Sequence, residues 1–272
     1  MTTRPIPYRF EYELEVPGSP DEVWRAIATA DGISAWMMPT ELDAREGGAV
    51  TFHMGPMADS HGQVTGFEPA RRFAYEEDWA SLVGHPGADV TPLATEFLVE
   101  ARSGGTCVVR VVTSAFGTGE GWEDTFWREM TSGWAPMLDN LRLYLTHFSG
   151  ARANTMWVTA NCAAAPDAAI AAVRGGLGIG AAGERVNARG ITGVVERSLD
   201  THFLVRVERP VAALFSFFAF RPDDVSTAST AVQLIGYIYD HEAAAYVDRE
   251  CDAWREWLAA VTSPDRVDTS TG

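Results

Sequence analysis

The chain has 272 residues, 46% of them hydrophobic, and a formal net charge of −16 with an isoelectric point near 4.7. That length predicts two domains, and the hydrophobic share excludes a disordered chain. The acidic balance disfavours nucleic acids and anionic membrane surfaces as partners.

The most apolar run, Val211 to Phe220, falls far short of the roughly 18 residues that span a bilayer. Residues 1–8 are polar and proline-containing, without an apolar core segment, so no signal peptide is expected. The cysteines Cys107, Cys162 and Cys251 are odd in number and widely spaced. Such spacing suits a reducing compartment and neither a disulfide framework nor a zinc site. A cytoplasmic protein without metal or cofactor is the expectation.

In chain order, Tyr8, Phe10, Tyr12, Leu14 and Val16 alternate with charged residues and predict a strand buried on one face. Pro17 and Gly18 end it. Ser19 offers a helix N-cap, with Pro20 in the first turn and an apolar stripe of Val23, Trp24 and Ile27 behind it. A further helical turn is expected over 33–37. Short alternating runs follow at 41–45, 49–54, 62–68, 72–79, 95–101 and 106–113, divided by Gly47-Gly48, Pro69 and Ser103-Gly104-Gly105. They predict an antiparallel meander, with a loop over 80–92. Trp127, Met130, Trp134, Met137, Leu138, Leu141 and Leu145 restore helical spacing over 121–148, and Pro136 predicts a kink within that helix.

These segments resemble the SRPBCC superfamily, and within it the branch related to the activator of the heat-shock ATPase. The resemblance is carried by S-P-D-E-V-W-R-A-I from Ser19, G-G-A-V-T-F from Gly47 and G-Q-V-T-G-F-E-P-A-R-R-F-A-Y from Gly62, and then by the tryptophans and M-L-D-N-L of the last helix. It implies an α+β helix-grip fold of the START/Bet v 1 kind, a curved antiparallel sheet around a long C-terminal helix, over residues 1–150.

The second half echoes the first. Pro20, Asp21, Trp24, Ile27, Gly32 and Ile33 fall onto Pro166, Asp167, Ile170, Val173, Gly178 and Ile179 at one offset of 146. Phe126, Trp134, Leu138 and Leu141 fall onto Tyr246, Trp254, Leu258 and Val261 at an offset of 120, so the second copy is shorter by the difference, 26 residues. Strands are expected at 156–162, 191–198, 201–208, 212–220 and 230–239. We therefore expect a trimmed second helix-grip domain over 154–262, after a linker at 149–154 and before a disordered tail at 263–272. The run around Leu214, Phe215, Phe217 and Phe218 is apolar on both faces and predicts burial on both sides, against the partner domain or a second subunit of a homodimer.

Gly178, Gly180 and Gly183 spell G-x-G-x-x-G, but a helix precedes them where a dinucleotide site needs a strand, so they are expected to form a connector. His53, Asp59 and His61 cluster across a turn; histidine and carboxylate can hold a divalent metal, yet the two histidines need not face one side, and no metal is assigned. The informative feature is the aromatic and methionine content of the first half. The ligand-lining residues predicted from it are Trp36, Met38, His53, Tyr75 and Trp79 from the sheet side, and Trp122, Phe126, Trp127, Met130 and Trp134 from the helix. An apolar or aromatic small molecule is the expected ligand. The superfamily also implies polyketide cyclases and aromatases, for which His53, Tyr75, Glu77 and Arg110 are the acid, base or oxyanion candidates. A chaperone-interaction module, implied by the name of the nearest branch, is the third reading.

Overall fold

The computed structural model describes residues 5–55, 58–221 and 229–263. The chain divides into two compact units, Met1–Arg152 and Ala153–Gly272; the expected tail lies almost wholly outside the described residues. Among those residues no helix is long and apolar enough to cross a membrane.

The first unit opens on β1 (Ile6–Pro17), whose side chains alternate as the sequence predicts. Ser19 then caps α1 (Pro20–Ile27) through a full capping box. Its hydroxyl accepts from the Glu22 amide, and the Glu22 carboxylate accepts from the Ser19 amide at 2.8 Å. The stripe of Val23, Trp24 and Ile27 is buried, with Trp24 edge-on to Phe67 at 5.1 Å. The next helix, α2 (Ala30–Ser34), starts three residues before the predicted turn, because the Thr29 hydroxyl accepts from the Gly32 amide and nucleates it early.

Six strands follow: β2 (Thr40–Leu42), β3 (Ala49–Phe52), β4 (Ser60–Glu68), β5 (Arg72–Glu77), β6 (Leu93–Arg102) and β7 (Thr106–Gly117). Between β5 and β6 the expected loop contains a single turn, α3 (Trp79–Leu82), capped by the Asp78 carboxylate. Every neighbour pair is antiparallel, in the order β1-β7-β6-β5-β4-β3-β2. The chain closes on α4 (Gly121–His147), which runs unbroken through Pro136. Leu138 and Leu141 on its second half are fully buried, each contributing about 2 kcal/mol of hydrophobic stabilisation.

The second unit repeats this plan with fewer parts. Its elements are β8 (Asn154–Cys162), α5 (Pro166–Leu177), β9 (Arg185–Ala188), β10 (Ile191–Ser198), β11 (His202–Arg209), β12 (Ala213–Phe220), β13 (Thr230–Ile238) and α6 (Ala243–Val261). The order β8-β13-β12-β11-β10-β9 matches the first sheet less one strand, and one helix stands where the first unit has α1 and α2. This is a helix-grip fold in two copies, the second shortened. Phe203, Phe215 and Phe217 point to the helix side and pack on Trp254 of α6, at 5.6 Å for Phe215 and 5.9 Å for Phe217. Leu214 and Ser216, on the opposite face of β12, are buried as well.

The glycine motif is a helix stop. Gly178 takes the left-handed conformation at the end of α5, with φ +60°, and its amide and that of Ile179 return to the carbonyls of Gly175 and Arg174. The short strand β9 behind it is not among the expected strands, because its alternation spans four residues, too few to register as a period.

Candidate functional site

The two faces of the first sheet have opposite chemistry. On the outer face, Glu68, Arg72, Leu98, Arg110 and Glu13 form one cross-strand row. Arg110 donates to Glu13 at 2.8 Å and stands 3.7 Å from Glu11, and Arg72 pairs with Glu96. Arg110 is therefore a surface ion-pair partner, remote from the inner face where an oxyanion could develop. An open cleft of about 300 Å3 on this outer side is lined by Arg71, Arg72 and Arg110 with Glu68 and Glu100, and salt bridges join Arg71 and Arg72 to Glu68.

The inner face carries Phe73, Tyr75 and Glu77 along β5. Tyr75 is fully enclosed, with Phe52 at 5.1 Å and Phe73 at 5.6 Å. Thr95 stands opposite it on β6 and lies 3.5 Å from Thr113 on the next strand. Burial, and then the charge of Glu77, push the Tyr75 pKa well up, so the hydroxyl stays protonated.

Glu77 is the unusual group. Its carboxylate accepts a 2.5 Å hydrogen bond from the Ser60 hydroxyl, and Ser60 is itself buried. Desolvation pushes its pKa up to about 7, against the lowering effect of the Ser60 bond. Among the described residues no basic side chain forms an ion pair with it. Register places Glu77 opposite Leu93, and Leu93 packs with Trp79 in a cluster that takes in Trp122, Phe126, Trp127 and Met130.

That cluster adjoins the carboxyl through Leu93, its register partner on the same face of the sheet. Trp79 lies 5.0 Å from both Trp122 and Phe126, and Tyr8 lies 5.2 Å from Trp127. Trp79 is itself buried, its indole donating to the Thr91 carbonyl at 2.8 Å. The four helix residues Trp122, Phe126, Trp127 and Met130 are half-buried, each leaving part of its surface to solvent. Farther along α4, Trp134 is buried against Phe97.

The remaining predicted residues are placed as follows. Trp36 is fully buried, donating to the Ala26 carbonyl at 2.9 Å, and Met38 is buried near it in sequence. His53 sits past the end of β3, part-exposed, with Asp59 at 2.9 Å and Glu41 at 3.6 Å. It is held at the sheet edge and does not join Tyr75 and Glu77. His61 bonds Thr51 at 3.3 Å instead of sharing a ligand with His53, and no metal-holding cluster occurs among the described residues.

Glu123 is a functional-looking residue that the sequence reading missed. It is completely buried at the start of α4 and accepts from Thr118 (amide 3.0 Å, hydroxyl 2.7 Å), the Gly119 amide (2.9 Å) and Tyr8 (3.2 Å). Desolvation works against its charge, but these donors outweigh it and hold the pKa below the ordinary range. Gly117 leaves the necessary room, since a Cβ there would stand 2.0 Å from the carboxylate. Glu123 anchors the aromatic half of α4 to β1, and no local motif marks it.

Residues 17–146 match the family model described as activator of Hsp90 ATPase homolog 1-like protein. Among solved structures, protein MLL2253 from Mesorhizobium loti is similar at 16% identity over 52% of this chain and 98% of its own, with a TM-score of 0.45. DynU16, from the dynemicin biosynthetic locus, is 14% identical over 93% and 96%, with a TM-score of 0.43. The di-domain ARO/CYC BexL, from the BE-7585A biosynthetic pathway, is 13% identical over 94% and 97%, with a TM-score of 0.42. No curated protein matches the chain.

Proposed function

We propose, from the helix-grip fold of the first unit and the match of residues 17–146 to the activator of Hsp90 ATPase homolog 1-like family, that this unit binds an apolar or aromatic small molecule between the sheet and the first half of α4. One observation carries the reading. Four large side chains of α4 stay half-buried opposite an inner face that holds a desolvated carboxyl and a buried tyrosine. A helix serving only the core would bury them, as α4 itself buries Leu138, Leu141 and Leu145. Broad ring surfaces with a few convergent polar groups are what a small-molecule site requires. The three free cysteines fit a cytosolic location.

The test is native mass spectrometry of the chain purified gently from its own host, followed by thermal shifts across a panel of apolar compounds. A retained compound, or a saturable rise in Tm, supports the reading. A clean apo mass with no shift across the panel overturns it.

A second reading, an acid–base enzyme of the cyclase or aromatase sort, draws on Tyr75 and Glu77 standing two residues apart on one face. A carboxyl that titrates near neutral pH can take and return a proton at the working pH, and a protonated phenol can donate to a developing oxyanion. All 21 basic residues are arginine, so no lysine is present to form an imine with a carbonyl substrate. Conversion of the retained compound by the parent chain and not by Glu77→Gln would establish this second reading.

A further inference from the structure

Resting on the binding reading above, we propose that this site takes an aromatic amine as its cation, with the ammonium on Glu77 and the ring among Trp79, Phe126 and Trp127. The groups around Glu77 come from several elements. β4 supplies the Ser60 hydroxyl, β5 the Tyr75 phenol, β6 Leu93 and α3 Trp79, and none of these is basic. A desolvated carboxylate normally has a cation of its own; here the described residues provide none. The outer-face arginines Arg72 and Arg110 are committed to Glu96 and Glu13 on the other side of the sheet.

The aromatic cluster that Leu93 joins to Glu77 has the complementary property. Indole and phenyl faces carry negative potential and attract a cation at about 0.5–2 kcal/mol each. The chain's net charge of −16 concentrates cations around it and repels anions. A neutral ligand would gain from the rings alone and leave the carboxylate uncompensated. An anionic one would meet Glu77 directly. An aromatic ammonium satisfies both the rings and the carboxylate.

The experiment is calorimetric titration of the full chain at pH 8 with tryptamine and with tryptophol, which differ in ammonium against hydroxyl. Tryptamine is expected to bind about tenfold tighter, the scale of one charge-assisted contact. Glu77→Gln is expected to abolish that preference while tryptophol still binds. A second arm needs no variant. Lowering the pH of the parent chain to 5.5 protonates Glu77 and weakens tryptamine, with little effect on tryptophol. The other titratable groups around the site are Tyr75, which stays neutral throughout, Tyr8 against Trp127 with Glu123 and Asp124 bonded to it, Glu120 bonded to the Trp122 indole, and His85, stacked 4.4 Å from Trp122. Equal binding of the two probes, or a preference that survives Glu77→Gln, overturns the amine inference and leaves the binding reading standing. If neither probe binds, the amine inference falls, and the retained-ligand mass spectrum alone decides the binding reading.

Discussion

Ser60 Oγ reaches across the β4–β5 pair to Glu77 at 2.5 Å, and this bond favours the charged form of a half-buried carboxyl that desolvation works against. It is the lowering influence on a group that burial has pushed to about 7. A folded pKa above the unfolded value means that the native state holds its proton longer. Stability from this group is therefore full below about pH 4.3 and is lost as pH rises to 7, by about 3 kcal/mol. Glu77→Gln removes the ionisation and keeps an acceptor for Ser60. The variant should match the parent at pH 4 and exceed it at pH 8, as read by urea unfolding of the two chains.

Ser60→Ala tests the same bond from the other side. Without the donor, the Glu77 carboxylate loses its compensation, so its titration should move above 7 and the stability cost should grow with pH. At pH 8 the loss should reach about 1–3 kcal/mol, shrinking at pH 5 where the carboxyl is protonated. Carboxyl carbon NMR of Glu77 across the titration checks the direction.

Glu123 behaves oppositely. Its pKa is held low, so its stabilisation is present above the unfolded value and is lost as pH falls through the folded one. Glu123→Ala leaves the part-buried Thr118 and the exposed Gly119 without the acceptor for their amides, which should cost about 2–3 kcal/mol. Tyr8→Phe removes bonds to Asp124 at 2.8 Å and Glu123 at 3.2 Å, a loss nearer 1–2 kcal/mol. Circular dichroism melts at pH 7 should rank the two in that order.

The strands, the long helix and the repeat were legible because they are written in local signals: the alternation from Tyr8 to Val16, the Ser19 capping box, and a three-and-four spacing on α4. Side chains brought together by register were not. Tyr75 and Glu77 share a face because they lie two apart on β5, but which face is inner depends on pairing with β4 and β6, and a bulge between Val64 and Gly66 shifts that register. Arg110 and His53 had the same local credentials and ended outside. Arg110 falls in the row of Glu13, and β3 ends at Phe52, which turns inward and leaves His53 at the rim. Glu123 was hidden because its partners lie at β1 and in the turn before α4, and its own neighbours in sequence are ordinary helix formers.

His202, in the second unit, gives the last prediction. It is buried on β11, with its Nε2 3.1 Å from Ser216 Oγ. Burial, and then the charge of Arg197, pull its pKa down to about 4. The unfolded chain takes up this proton near pH 6.5 and the folded one does not, so stability falls as pH drops from 6.5 to 4, by about 3 kcal/mol. Over that interval Glu77 acts in the reverse sense, gaining stability as pH falls. His202→Gln keeps a partner for Ser216 and removes the titration. Its stability, read against the parent by urea unfolding, should show a relative gain that appears only below pH 6.5, whereas the gain of Glu77→Gln appears only above pH 4.3. A His202→Gln chain that tracks the parent from pH 7 to 4 would mean that the folded imidazole takes up its proton over the same pH range as the unfolded one, against the lowered pKa.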